Sequence, residues 1–181
     1  MNAGAGGERY SLHAVAVGAI VLLDQFTKAL VQARMTLHES IEIIPGLFSL
    51  TYIRNPGAAF GLFVGAPPAF RAVFFSTVTV VAIAAIGYFF FKSIQEDRQL
   101  ALAGAPPGRH NRWARAGLAL VLSGAIGNLI DRVRYGEVID FLDFYIGRHH
   151  WPAFNVADSA ITVGVSILLI ATWMGPAPNK V

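Results

Sequence analysis

Four stretches of this sequence are long and apolar enough to cross a lipid bilayer. They run from about Leu12 to Ala33, Ala69 to Phe91, Trp113 to Ile130 and Val156 to Trp173. A spanning helix needs ~20 mostly apolar residues, because inside the hydrocarbon layer only a helix satisfies its own backbone N–H and C=O groups. The composition agrees. Of 181 residues, 55% are hydrophobic and 14% charged, and the mean hydropathy is +0.54, whereas soluble domains run at roughly 45–50% apolar. The expected fold is therefore an all-α membrane protein, one domain over 1–181 built as a four-transmembrane-helix bundle. Its connections are 34–68, 92–112 and 131–155.

The first stretch does not read as a cleaved signal peptide. It exceeds the ~7–15-residue apolar core of such segments and no A-x-A-like site follows it; it also contains Asp24 and Lys28. The chain has no cysteine, which excludes a thiol nucleophile, a disulfide framework and a thiolate metal site. The net charge of +3 does not form a nucleic-acid stripe but sorts by loop. Lys92, Arg98, Arg109, Arg112 and Arg115 crowd the segment from Lys92 to Arg115, Arg9 precedes the first span and Lys180 follows the last. Basic residues favour the cytoplasmic side, so both termini and the 92–112 loop are expected there, with 34–68 and 131–155 facing outward. The first outer loop has β-rich stretches around Pro45-Gly46 and Pro56-Gly57, which predicts a small β-rich subdomain of short strands or a small sheet at the outer face. The segment 136–150 is a candidate to join it.

Ionisable residues in spans are penalised and mark functional sites by default. With this topology they gather in one layer. Asp24 and Lys28 share a helical face in the outer half of the first span. Asn128, Asp131 and Arg132 end the third span, and Asn155 and Asp158 begin the fourth. Asn55 and Asp140 lie in the outer loops. No comparable set is seen in the inner halves. Plainer roles exist for each. Asp24 and Lys28 can simply neutralise each other, Asp131 and Arg132 can mark a helix end, and Asn155 can be an N-cap with Asp158 suiting the helix dipole. Asp143, three residues after Asp140, reads as the wetter of that pair.

Two carboxylates sharing a site cannot both ionise easily, so the pair holds one proton near neutral pH. The ionised member can take a proton from water and the protonated member can polarise a carbonyl. Asp140 and Asp158 are the natural partners for this aspartic-protease chemistry, which needs no metal and no cofactor. Ser159 and Ser123 have no His or Lys base beside them in sequence. His149-His150 near acidic residues lacks the H-E-x-x-H pattern of a zinc site. Gly124 and Gly127 suit close helix packing better than phosphate binding.

The ordered blocks DQFTK (24–28), NPGAAFG (55–61), SGAIGNLIDR (123–132), VIDFLDF (138–144) and FNVADSAI (154–161) resemble the bacterial lipoprotein signal peptidases, the signal peptidase II family. The resemblance covers about residues 12–174. Ser123 stands where the family carries glycine. It implies an intramembrane aspartic endopeptidase of the inner membrane, with its site near the periplasmic face. The enzyme would remove the signal peptide from a prolipoprotein whose cysteine carries diacylglycerol, on the N-terminal side of that cysteine. The implied partners are this substrate and membrane lipid, with no nucleic acid, and the implied state is a monomer. By the resemblance Asp140 and Asp158 are catalytic and Asp143 is not. Asp24, Lys28, Asn55, Gly57, Asn128, Asp131, Arg132, Asn155 and Ala157 are support or substrate-binding residues. Small side chains at Gly57, Ala58 and Ala157 are expected to leave room beside the carboxylates. The alternatives are a transporter or channel subunit with an aspartate proton relay, and an assembly factor whose charges pair with a partner's helices. A presenilin-like protease would need a Gly-x-Gly-Asp motif, which is absent.

Overall fold

All four apolar stretches are helical. The computed structural model describes residues 4–57, 63, 65–104 and 109–174. In chain order it contains α1 (Gly4–Arg34), β1 (Ser40–Ile44), β2 (Phe48–Asn55), α2 (Pro68–Leu102), α3 (Arg109–Tyr135), β3 (Val138–Ile146), β4 (His149–His150) and α4 (Val156–Met174). Each helix carries a segment apolar and long enough to span a membrane. α3 is the most enclosed of them and α2 the least, and α3 packs against each of the other three. Outward-facing Leu22, Phe26, Val73, Val81 and Leu169 remain more than half exposed, as lipid-facing side chains would.

Two glycines set how closely the helices approach α3. A Cβ at Gly124 would lie 2.2 Å from the Ala157 carbonyl oxygen, and one at Gly127 would lie 2.6 Å from Asp24 Oδ2. Small residues at such crossings let backbones meet. Here they draw both the Asp24 turn of α1 and the first turn of α4 onto α3.

The four strands form one antiparallel sheet in the order β1-β2-β3-β4. Segment 136–150 does join it, as β3 and β4. Strand alternation sends successive side chains to opposite faces. Ile139 and Phe141 pack with Tyr52 of β2 and with Val31 and Met35 at the end of α1, and Asp140 between them points the other way. Arg54 reinforces the junction of sheet and bundle: its guanidinium lies 5.4 Å from the centre of the Tyr135 ring at the end of α3.

The 92–112 connection differs from the sequence reading. It is not mainly a loop, since α2 continues to Leu102 and α3 begins at Arg109. Residues 92–102 are rich in Gln, Glu, Arg, Leu and Ala, all good helix formers, so the helix outlasts its apolar stretch. This extension carries a buried polar cluster that the sequence reading missed. Asp97 pairs with Arg115, Asn111 Nδ2 donates to Asp97 Oδ1 at 3.2 Å, and Arg115 also reaches Ser93.

Candidate functional site

The C-terminal ends of α1 and α3 and the N-terminal end of α4 meet one face of β3, and the polar residues singled out in the sequence converge there. Asn155 is the hub. Its Nδ2 group donates to Asp140 Oδ1 at 2.8 Å, to the Ile139 carbonyl at 3.1 Å and towards Asn128 Oδ1 at 3.2 Å. Its Oδ1 accepts the Asp158 N–H at 2.9 Å while Asp158 Oδ2 accepts the Asn155 N–H at 3.3 Å. This reciprocal pair is a capping box at the start of α4. Asn155 is thus the N-cap that its position suggested and also a direct partner of Asp140.

Each carboxylate is held by amides. Asp140 Oδ2 accepts from Asn55 Nδ2 at 2.9 Å, and Asp158 Oδ1 accepts from Asn128 Nδ2 at 2.7 Å. Asp140 is 2% exposed and Asp158 is half-buried. Burial first, and then the negative charge of Asp158, push the Asp140 carboxyl up to about 7 against the pull of Asn55 and Asn155. Loss of hydration disfavours the charged form.

A second layer lies behind this pair. Lys28 is 1% exposed. Its Nζ lies 2.9 Å from Asp24 Oδ2, 3.0 Å from Asp131 Oδ2 and 3.0 Å from Asn128 Oδ1, so all three ammonium protons have acceptors. Because Lys28 only donates, Asn128 turns its oxygen to the lysine and its amino group to Asp158. Asp24 Oδ1 accepts the Ala157 N–H at 2.9 Å, and Asp131 Oδ2 accepts the Ile139 N–H at 3.1 Å. Asp24 and Lys28 do pair, as the plainer reading had it, but as part of a scaffold that holds α4 and β3. Arg132 Nη1 donates to Thr79 Oγ1 of α2 at 3.4 Å.

The structure adds Gln25, which sequence reading passed over inside the DQFTK block. Its Nε2 reaches Asp24 Oδ2, the Gly127 carbonyl and Asp131 Oδ1 at 3.0–3.2 Å. A polar residue next to Asp24 in an apolar helix was the available signal. Ser123 is fully buried and donates to the Leu120 carbonyl within its own helix.

Two expectations are corrected. Asp143 is not wet. It is 8% exposed, lies 2.9 Å from His150 Nδ1 and accepts from Thr51 Oγ1 at 3.3 Å, because it faces neighbouring strands of the sheet. Gly57 and Ala157 do not leave room beside the carboxylates. The Phe75 ring fills the space at Gly57, and Ala157 is fully buried against α3. Ala58 lies outside the described residues. A separate apolar cavity of about 310 Å³, lined by Leu12, Ala16, Ile20 and Ala119 among others, sits between α1 and α3 away from these carboxylates.

Four helices long and apolar enough to cross a membrane, with a buried polar layer at one end, fit a multi-pass membrane protein, and the layer's two amide-held carboxylates suit acid–base chemistry. The comparisons with known proteins narrow this. The profile of the family described as signal peptidase (SPase) II matches residues 16–174. The lipoprotein signal peptidase of Syntrophus aciditrophicus is 50% identical over 159 residues, 88% of this chain and 90% of that protein. The one from Geobacter sulfurreducens is 51% identical over 158 residues, 87% of this chain and 88% of that protein. A bacterial membrane enzyme solved by the in meso method superposes with a TM-score of 0.74 at 33% identity, covering 94% of this chain and 92% of that one. The chain belongs to the signal peptidase II family and is an aspartic peptidase.

Proposed function

We propose that Asp140 and Asp158 are the catalytic pair of a peptidase that removes signal peptides from prolipoproteins carrying a diacylglyceryl-cysteine, cutting on the N-terminal side of that cysteine. One observation carries the assignment of the pair. Of the six aspartates, Asp24, Asp97 and Asp131 are paired with Lys28 or Arg115, and Asp143 with His150. Among the described residues Asp140 and Asp158 have amide donors and no cation partner. They are the carboxylates free to exchange a proton. Membership of the family and the names of the relatives support the substrate class. They lend nothing to the proton-relay transporter.

In this mechanism Asp140 holds the proton near neutral pH, consistent with its raised pKa. Ionised Asp158 takes a proton from a water molecule, whose oxygen attacks the scissile carbonyl carbon. Asp140 gives its proton to the carbonyl oxygen. Collapse of the tetrahedral intermediate breaks the C–N bond as Asp158 gives its proton to the leaving amine and a hydroxyl of the intermediate returns its proton to Asp140. Asn55, Asn128 and Asn155 fix the two carboxylates. Arg132 is the group suited to orient the substrate chain.

The whole chain acts as one domain and as a monomer in the bacterial inner membrane, with both termini cytoplasmic and the sheet and site near the periplasmic face. The basic residues of 92–112 support this orientation. Single cysteines introduced into the cysteine-free chain test it. A cysteine at Glu42 should label with an impermeant reagent in intact cells, and one at Arg98 only after lysis. Cleavage of a diacylglyceryl-modified prolipoprotein by Asp140→Asn, Asp158→Asn and Asp143→Asn, each checked for insertion, tests the pair. Activity surviving in all three would overturn it.

A further inference from the structure

Among the described residues Asn55 is the one donor to Oδ2 of Asp140, and one residue that bears on its placement, Phe75 of α2, lies outside every block singled out in the sequence. Its side-chain Oδ1 accepts the N–H of Gly57 at 2.9 Å. That bond turns the amide so that its NH₂ group faces Asp140. The bond exists only while Gly57 keeps its left-handed backbone, φ +86°, a conformation that favours glycine. Gly57 is buried. A Cβ built on it would lie 2.3 Å from Phe75 Cδ2 and 2.6 Å from Cε2. The ring of Phe75 therefore occupies the space that a side chain at 57 would need and bears directly on the turn. One helical turn further along α2, Thr79 donates to the Phe75 carbonyl at 2.7 Å and accepts from Arg132. Phe75 and Thr79 thus form the face that α2, the least enclosed helix, turns to the site.

We propose that Phe75 is a positioning residue for Asp140, acting through the Gly57 turn and the amide of Asn55. The proposal rests on the reading of Asp140 as one of the catalytic pair. It predicts behaviour that simple packing does not. Asn55 stabilises the ionised form of Asp140. Loosening the turn should therefore shift the alkaline limb of the rate profile to higher pH, as well as slow the reaction.

The experiment is a double-mutant cycle of Gly57→Ala and Phe75→Ala in purified, folded enzyme. Cleavage of a lipid-modified prolipoprotein is followed as kcat, KM and their pH profiles. Phe89→Ala, on an exposed part of the same helix, is the control for aromatic truncation. We expect Phe75→Ala to lower kcat by about tenfold or more with a much smaller change in KM, since misplaced reacting groups cost rate. Its alkaline limb should move upward, in the same direction as in Asn55→Ala. Gly57→Ala should cost less in the Phe75→Ala background than in the parent, because the ring it collides with is gone. That non-additivity is the signature of direct coupling. Phe75→Leu carries the same cycle if the alanine variant does not fold. Additive effects with an unmoved limb, in whichever background folds, would overturn the proposal. An active Asp140→Asn would instead sink the catalytic reading on which it stands.

Discussion

Among the described residues the protein buries two ion clusters, one at each end of α3, and they differ in what they are attached to. At the end beside the sheet, Lys28 has all three protons accepted, by Asp24, Asp131 and Asn128. Every acceptor passes the order on: Asp24 to the first turn of α4, Asp131 to β3, and Asn128 to Asp158. At the opposite end, Arg115 pairs with Asp97 and reaches Ser93, and its Nε is buried with no partner among the described residues. Among the described residues this cluster ties α2 to α3 and leads no further. A buried pair is weak evidence for stability, since desolvation cancels much of the attraction. The lesson is that connection, not burial, separates a site scaffold from a helix staple.

The comparison can be broken most sharply at the carboxylates that the Lys28 cluster serves. Asp140→Asn and Asp158→Asn should each lower kcat/KM by about 10²–10⁴-fold, the scale of general acid–base catalysis, with folding intact by thermal melting in detergent. Lys28→Met should come next. It leaves Asp24 and Asp131 facing each other without a cation, a change that costs about 3–5 kcal/mol. Both thermal stability and the activity of whatever folds should fall, because Asn128 loses the group that orients it.

The pH dependence is the third test. With Asp140 raised to about 7, kcat/KM should fall above that pH, by about tenfold per unit for loss of one essential proton. Stability follows the same sign. The folded protein holds this proton more tightly than the unfolded chain, so the contribution of Asp140 to stability declines as pH rises from the ordinary carboxylate value of 3.8 to about 7, and is constant above it. A melting series across that window, compared with Asp140→Asn, isolates the contribution.

At the other end of α3, Arg115→Met should lower stability while the kcat of the folded fraction stays within about twofold, as for sites without shared partners. A large loss of kcat there would erase the distinction drawn between the two clusters. The smallest effect belongs to the rim of the sheet. His150 is more than half exposed beside Asp143, and pairs of that kind contribute about 0–1 kcal/mol. His150→Ala should shift the melting temperature little and leave cleavage unchanged.

Much of this was legible before any coordinates. Hydrocarbon imposes the length of the four apolar stretches, so span number followed from composition along the chain. The same penalty made each charged residue in a span conspicuous, which is why Asp24, Lys28, Asp131 and Asp158 stood out without knowledge of their contacts. The strands around Pro45-Gly46 and Pro56-Gly57 were visible as turn chemistry. The helical extension of α2 to Leu102 was less so, because a Pro/Gly linker further along suggested a loop and the helix formers before it carry no apolar periodicity.

The sequence alone therefore determined the membrane class, the layer in which the polar residues gather and the pairing of Asp140 with Asp158 as a hypothesis. Only the tertiary structure decided the partners. That Lys28 serves two carboxylates, that Gln25 bridges them, that Asp143 is buried against His150 and that Phe75 fills the space above Gly57 are contacts between residues far apart in the chain or on separate elements. Hydropathy and spacing report what a residue costs to bury. They carry no information about which distant group meets it, because that is set by helix approach at Gly124 and Gly127 and by strand register.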